Sequence, residues 1–237
     1  MNIAIAQLYT PNYDSWAPIV IDNTATYCNK HGYKFYHKRI EYPQDRHPAW
    51  YRIPFIIELF RNEEVDWIFW SDIDSLIMNH SISIESFLKE DKNLVMASQG
   101  RGLYCGKDCG EPVCVYCQAA KDCGHILNTG QFFIKNTKWS AELLDLWWKW
   151  PEAHTKYLWD AWWDNDAMNF FWKNNLLSFD ENVYIEYYTR RFNSFYHCQS
   201  IDTLGYFDGD FLCHFTGNLG SKTREGLVES YARSIKT

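Results

Sequence analysis

Apolar runs and amphipathic stretches alternate along the chain from its first residues. A run from about Asn2 to Leu8 reads as a strand, and Pro18–His31 as a helix whose stop is marked by Gly32. A strand at Tyr33–His37, a helix at Tyr51–Arg61 and a strand at Val65–Ser71 are predicted next. That last run holds Val65-Asp66-Trp67-Ile68-Phe69-Trp70, mostly aromatic and branched residues with no breaker, the pattern of a buried strand. Ser81–Lys89 predicts a short helix and Leu94–Ala97 a further strand. Ile126–Lys135 reads as a strand interrupted by Asn128-Thr129-Gly130. An amphipathic helix over Lys138–Trp150 is expected to stop at Pro151, and another to run over about Asn165–Lys173. Strands at Val183–Tyr188 and Phe211–Phe215 and a polar terminal helix from Ser221 complete the series. This alternation predicts an α/β fold: one Rossmann-like domain over residues 1–237, its mostly parallel central sheet flanked by helices.

Composition narrows the classes. A chain of 237 residues, 46% hydrophobic, can bury a sizeable core, which argues against disorder. The net charge of −7 disfavours generic nucleic-acid binding, which calls for basic surface. No run of eighteen apolar residues occurs, so no transmembrane helix is expected. With Met1 as the natural start the expected location is cytoplasmic; with an anchor removed it is that of a lumenal catalytic domain. Twelve tryptophans are core filling for the most part, and some could line a sugar site.

The strongest chemical signal is Asp72-Ile73-Asp74, directly after the aromatic strand. Two carboxylates one residue apart repel each other and lose hydration when buried, unless something positive joins them. A Mg²⁺ or Mn²⁺ ion bridging a pyrophosphate meets that need, and open α/β sheets bind ligands at strand carboxyl ends. The plain alternative is a solvated turn. His214, ending the apolar run Phe211–Phe215, is either a satisfied core histidine or a third ligand beside Asp72 and Asp74. Gly130 would let a substrate approach the backbone while Asn128 and Thr129 offer hydrogen bonds, or the three residues form a β-bulge. Trp163, Asp164 and Asn165 mix an aromatic plate with polar groups at a helix start. Asp164 is a cap or part of a sugar site. Arg52 and Lys222 are cations that either neutralise phosphate or stay solvated.

A polar insertion over about residues 100–125 carries Cys105, Cys109, Cys114, Cys117 and Cys123, with His125 close behind. Its sparse apolar content needs a staple. Structural Zn²⁺, disulfides and free thiols all remain open, and only the Cys114–Cys117 spacing is typical of a zinc knuckle.

Together these blocks resemble glycosyltransferase family 34, the galactosyl/xylosyl/mannosyltransferases of the GT-A fold. The matching residues are Tyr27-Cys28-x-x-His31-Gly32-Tyr33, Arg52-x-Pro54, Asp66 to Asp74, Leu127-Asn128-Thr129-Gly130 through Trp139-Ser140, Trp163-Asp164-Asn165, and His214-Phe215-x-Gly217. They run in order from Met1 to about Leu219. The resemblance implies a metal-dependent, anomer-retaining transfer of a sugar from a nucleotide diphosphate, UDP favoured, to a glycan or other hydroxyl. Asp72, Asp74 and His214 fall on the family's metal ligands for Mn²⁺ or Mg²⁺. Asp164 and Asn165 fall on its Asp-Gln pair beside the anomeric carbon, with Asn in place of Gln. Gln7, Tyr9, Arg52, Asp72 and Lys222 are expected on the donor side, and Asn128, Thr129, Gly130 and Trp163 on the acceptor side. The family's late lysine is replaced by Leu219, with Lys222 nearby, and the cysteine insertion is foreign to the pattern. The rival classes are a carbohydrate-binding module and a zinc-stapled interaction protein on a transferase scaffold.

Overall fold

A computed structural model of the chain describes residues 1–99, 126–159, 162–196, 205–216 and 223–235. The elements are β1 (Ile3–Tyr9), α1 (Ala17–His31), β2 (Lys34–Arg39), α2 (Arg52–Asn62), β3 (Trp67–Ser71), β4 (Ser75–Ile77), β5 (Leu94–Gln99), β6 (Ile126–Lys135), α3 (Lys138–Ala153), α4 (Lys156–Trp159), α5 (Trp163–Lys173), α6 (Phe179–Asn182), β7 (Val183–Glu186), β8 (Ser194–Phe195), β9 (Leu212–His214) and α7 (Arg224–Ala232). Six strands form a central sheet in the order β2-β1-β3-β6-β5-β7. The pairings β1–β2, β1–β3 and β5–β7 are parallel, while β6 runs antiparallel to β3 and β5. The sheet is therefore mixed, and its antiparallel strand is the one carrying Asn128-Thr129-Gly130.

Period-two alternation decides what covers each face. Ala4, Ala6, Ile68, Trp70, Phe132 and Ile134 pack with side chains of α2, α3 and α5. Ile3, Ile5, Trp67, Phe69 and Phe133 point the other way, to Tyr27 and Cys28 of α1 and to Phe211 and Leu212 at the start of β9. Full burial of one such large side chain is worth about 1.5–3 kcal/mol. Strands apolar on both sides are thus stable only when covered on both. Gly32 ends α1 at φ 75°, the left-handed stop expected of it.

Three local expectations are corrected. Pro151 does not stop α3, which runs on to Ala153. Pro151 is buried there, and Trp150 packs against Phe170 and Phe171, with centroids 4.9 and 5.0 Å away, so packing outweighs the lost backbone hydrogen bond. Residues 81–89 form only a short 3₁₀ turn at Ile84–Phe87. The helix expected from Asn165 starts two residues earlier, at Trp163, so Asp164 lies inside it rather than capping it. Among the described residues no helix is long and apolar enough to cross a membrane.

Candidate functional site

β1 lies between β2 and β3 in the sheet: α1 joins β1 to β2 on one side, and α2 carries the chain from β2 back across β1 to β3 on the other. The carboxyl ends of β1 and β3 therefore flank a switch in strand order, where such sheets form crevices. Asp72 and Asp74 follow the end of β3. The small sheet, ordered β4-β9-β8, brings up the histidine. Ser75 pairs with His214 across β4 and β9, and the Phe215 backbone N–H donates to the Asp74 carbonyl at 2.8 Å. The register of two three-residue strands thus sets His214 beside Asp74.

Asp72, Asp74 and His214 each offer one ligand atom, and these atoms all lie within 4.8 Å of one another. His214 Nε2 is 3.2 Å from Asp74 Oδ1. Arg224 of α7 is 3.4 Å from Asp74 Oδ2 and donates to the Phe215 carbonyl. Burial raises the Asp74 pKa, but His214 and Arg224 outweigh it and hold the carboxyl below the ordinary range. Asp72 differs. Burial pushes it up to about 6, Arg52 pulls against the shift, and Asp74 adds to it. The Asp72 side chain still keeps 28% of its surface open, so the cluster is reachable. Two oxygen donors and an imidazole suit Mn²⁺ or Mg²⁺, and the repulsion between the carboxylates is what a divalent cation would relieve.

The β6 bulge forms the adjoining wall. Met96 of β5 pairs with Phe132, yet Ala97 pairs with Asn128, so Thr129, Gly130 and Gln131 have no partner on β5. Two asparagines of α5, one helical turn apart, bond the backbone of this stretch. Asn165 Oδ1 accepts from the Thr129 N–H at 2.9 Å and from its hydroxyl at 3.1 Å. Asn169 accepts from the Leu127 N–H and donates to the Leu127 carbonyl. The interruption is thus one continuous strand with a bulge. Its Gly130 carbonyl accepts from the Asp72 N–H at 2.8 Å.

Arg52 is no solvated cation. It is buried, donates to the carbonyls of Ala49 and Thr129, and lies 3.4 Å from Asp72 Oδ1 and 3.3 Å from Asp164 Oδ2. It therefore couples the cluster at β3 to the pair on α5. Burial raises the Asp164 pKa, with Arg52 opposing. Asp164 Oδ2 and Asn165 Nδ2 are both buried without a hydrogen-bond partner. Such atoms are costly unless a ligand meets them.

Trp163 is half-buried at a φ of 50°, a left-handed conformation rare for a bulky residue. Its ring stacks on His47 at 3.6 Å and its indole N–H donates to the Trp159 carbonyl. Burial and then Arg52 push the His47 pKa down to about 4, so the stacked ring is neutral. Gln7 and Tyr9 lie at the carboxyl end of β1. Gln7 is buried with Oε1 unpartnered, and Tyr9 packs partly against the Trp16 cluster. Lys222 and all five insertion cysteines, with His125, lie outside the described residues. Arg224 and Asn193 join the site without having been singled out in the sequence. Arg224 left the signal of a cation shortly after the His214 strand. Asn193 left only that of a polar residue between Phe192 and Phe195.

Two solved structures share the architecture. One is a glycosyltransferase involved in glycosylation of the major capsid of PBCV-1 (TM-score 0.68, 14% identity, 98% of this chain and 100% of that one). The other is the galactosyltransferase LgtC in complex with donor and acceptor sugar analogs (TM-score 0.61, 15% identity, 99% and 96%). At such identities the likeness establishes the fold, the GT-A fold. In sequence, the chain is 29% identical over 151 residues to a Saccharomyces cerevisiae protein described as a probable alpha-1,6-mannosyltransferase, MNN10, covering 58% of this chain and 38% of that protein. It is 29% identical over 128 residues to xyloglucan 6-xylosyltransferase 4 of Arabidopsis thaliana, covering 54% and 22%. The chain thus spans less than half the length of these relatives. The galactosyl transferase GMA12/MNN10 family matches from Ile3 to Thr223, nearly end to end, and this chain belongs to that family.

Proposed function

We propose that this chain is the catalytic part of a metal-dependent, retaining glycosyltransferase. It would move a sugar from a nucleotide diphosphate, UDP favoured, to a hydroxyl of a glycan. The observation that carries the reading is the coupling of two clusters through buried Arg52: Asp72, Asp74 and His214 on one side, Asp164 and Asn165 on the other. A divalent ion held by Asp72, Asp74 and His214 would supply positive charge for the departing diphosphate.

The remaining work falls to the chain's own groups. Arg52 fixes the Asp164 carboxylate through a pair shielded from water. Asp164 Oδ2, ion-paired with Arg52 but with no hydrogen bond, accepts from a sugar hydroxyl and orients the ring. Asn165 Nδ2 donates to the reacting partner, while its oxygen is occupied by Thr129. A neutral amide is a poor nucleophile, which favours front-face attack through an oxocarbenium-like ion pair over a covalent intermediate. The acceptor proton then passes to the leaving phosphate. Trp163, with Asn128, Thr129 and Gly130, lies on the acceptor side of this reading, and Gln7, Tyr9 and Lys222 on the donor side. A structural Zn²⁺ in the cysteine insertion remains a separate proposal that elemental analysis decides.

Two measurements test the reading. Thermal stabilisation by UDP or GDP, each with Mn²⁺, separates xylosyl or galactosyl donors from a mannosyl donor, and a carbohydrate-binding module would respond to neither. In the second, Asp164→Asn is expected to lower kcat by about 10²–10⁴-fold with little change in nucleotide affinity, because the side chain faces the sugar. Proton NMR of the new linkage is expected to show the donor's α configuration. A β-linked product from an α-linked donor would overturn both the mechanism and the role of this pair.

A further inference from the structure

Behind His214 runs a buried chain of amides that fixes which ring nitrogen carries the proton. It starts from a donor that can be nothing else, the backbone N–H of Gly130. That N–H lies 2.9 Å from a side-chain atom of Asn128, which must therefore be the amide oxygen. The same oxygen lies 3.0 Å from one end of the Asn193 carboxamide, which must then be the NH₂ group. The other end of Asn193 is its oxygen, and it lies 2.9 Å from His214 Nδ1. An oxygen there can only accept, so Nδ1 carries a proton. In the neutral ring Nε2 is left with its lone pair, directed at Asp74 Oδ1. A lone pair facing a carboxylate at that distance is stable only with a positive species between them.

We infer that Asn193 is a positioning residue: it holds His214 in the Nδ1–H tautomer, so that Nε2 presents a ligand lone pair into the Asp72–Asp74 cluster. The inference rests on the metal reading of these three residues. Burial supports the arrangement. Asn193 is fully buried, and His214 is 2% exposed and stacks on Phe195 at 5.4 Å. The ring can therefore neither flip freely nor recruit bulk water to Nδ1. Metal-bound histidines usually donate their second N–H in this way, and loss of such a partner typically costs 10–100-fold in metal affinity. The chain also links two parts of the site. The orientation that Gly130 imposes on Asn128 passes through Asn193 to the metal-facing nitrogen, so the bulge and the ligand are set together.

The test uses the full chain, ¹⁵N-labelled and metal-free, at alkaline pH. A long-range ¹H–¹⁵N spectrum identifies the protonated nitrogen of each imidazole, and His214 is assigned by its absence in His214→Gln. The expected result is a proton on Nδ1. A neutral ring protonated on Nε2 would overturn the inference whatever the metal does. In parallel, Mn²⁺ titration followed by EPR is expected to show about 10–100-fold weaker binding in Asn193→Leu. Asn193→Asp keeps an oxygen against Nδ1 and should bind more tightly than Asn193→Leu. Wild-type affinity in Asn193→Leu, or equal losses in both variants, would reduce Asn193 to packing. If Asn193→Leu does not fold, the spectrum and the Asn193→Asp titration still decide. No Mn²⁺ binding by the wild type would sink the metal reading instead, a result distinct from a wrong tautomer.

Discussion

Replacing Asp74 with Ala is expected to abolish Mn²⁺-dependent nucleotide binding and to lower turnover by at least about 10³-fold, while the fold persists. Among the described residues the side chain is one of three groups able to hold the ion, and it also pairs with His214 and Arg224. The fold survives because the contact that builds the small sheet there comes from the Asp74 carbonyl, which accepts from Phe215, and not from the carboxylate. A modest loss of metal-free stability has a definite sign. The Asp74 pKa is depressed, with burial opposing and His214 and Arg224 prevailing. Its contribution is therefore present above the ordinary carboxylate pKa and lost as pH falls through the depressed value. The wild type should melt higher than Asp74→Ala at neutral pH, and the gap should close in acid. Melting curves in EDTA across pH measure this. Full turnover in EDTA, or in Asp74→Ala, would remove the metal from the mechanism.

Much of the scaffold is legible in the sequence because periodicity reports burial directly. The run through Trp67–Ser71 is apolar on both faces and is covered on both, and Gly32 sits where a left-handed stop is needed. The departures have physical causes. The local cost of Pro151 is plain in the sequence, but the tertiary contacts of Trp150 that outweigh it are not. The sheet is mostly parallel as expected; that β6 is its antiparallel strand is not written in its own residues, because strand direction depends on the route of the chain between strands. Pairwise geometry is the least legible level. Asp72-Ile73-Asp74 stands out by spacing, but Arg52 reveals neither its burial nor its link between Asp72 and Asp164. Asn193 matters through what it faces, and a single polar residue between aromatics carries no mark of that.

Gly130→Ala is the substitution for which the smallest change in atoms should have the largest effect: Mn²⁺ affinity and turnover are both expected to fall by about 10²-fold or more with all three ligands intact. A Cβ at this position would lie 2.6 Å from His214 Cε1, 2.9 Å from Asn128 Oδ1 and 3.1 Å from Asp72 Oδ2. None of these neighbours is the loose end of a flexible side chain. His214 is held by Asn193 and Phe195, and Asn128 Oδ1 accepts from both Gly130 and Asn193. The clash must therefore move the bulge off β3 or turn the imidazole out of the cluster, and overpacking of this kind costs about 1–3 kcal/mol of stability. Backbone preference would not explain the loss, because Gly130 is not among the positive-φ glycines. Gly32→Ala is the control with the opposite logic. Gly32 sits at φ 75°, and a Cβ there would meet nothing within 4 Å, so its substitution should cost about 1–2 kcal/mol through the backbone and leave Mn²⁺ affinity unchanged. Chemical denaturation and Mn²⁺ titration of the two variants give the comparison. Wild-type Mn²⁺ affinity in Gly130→Ala would show that the close approach of β6 to His214 and Asp72 does not shape the metal cluster.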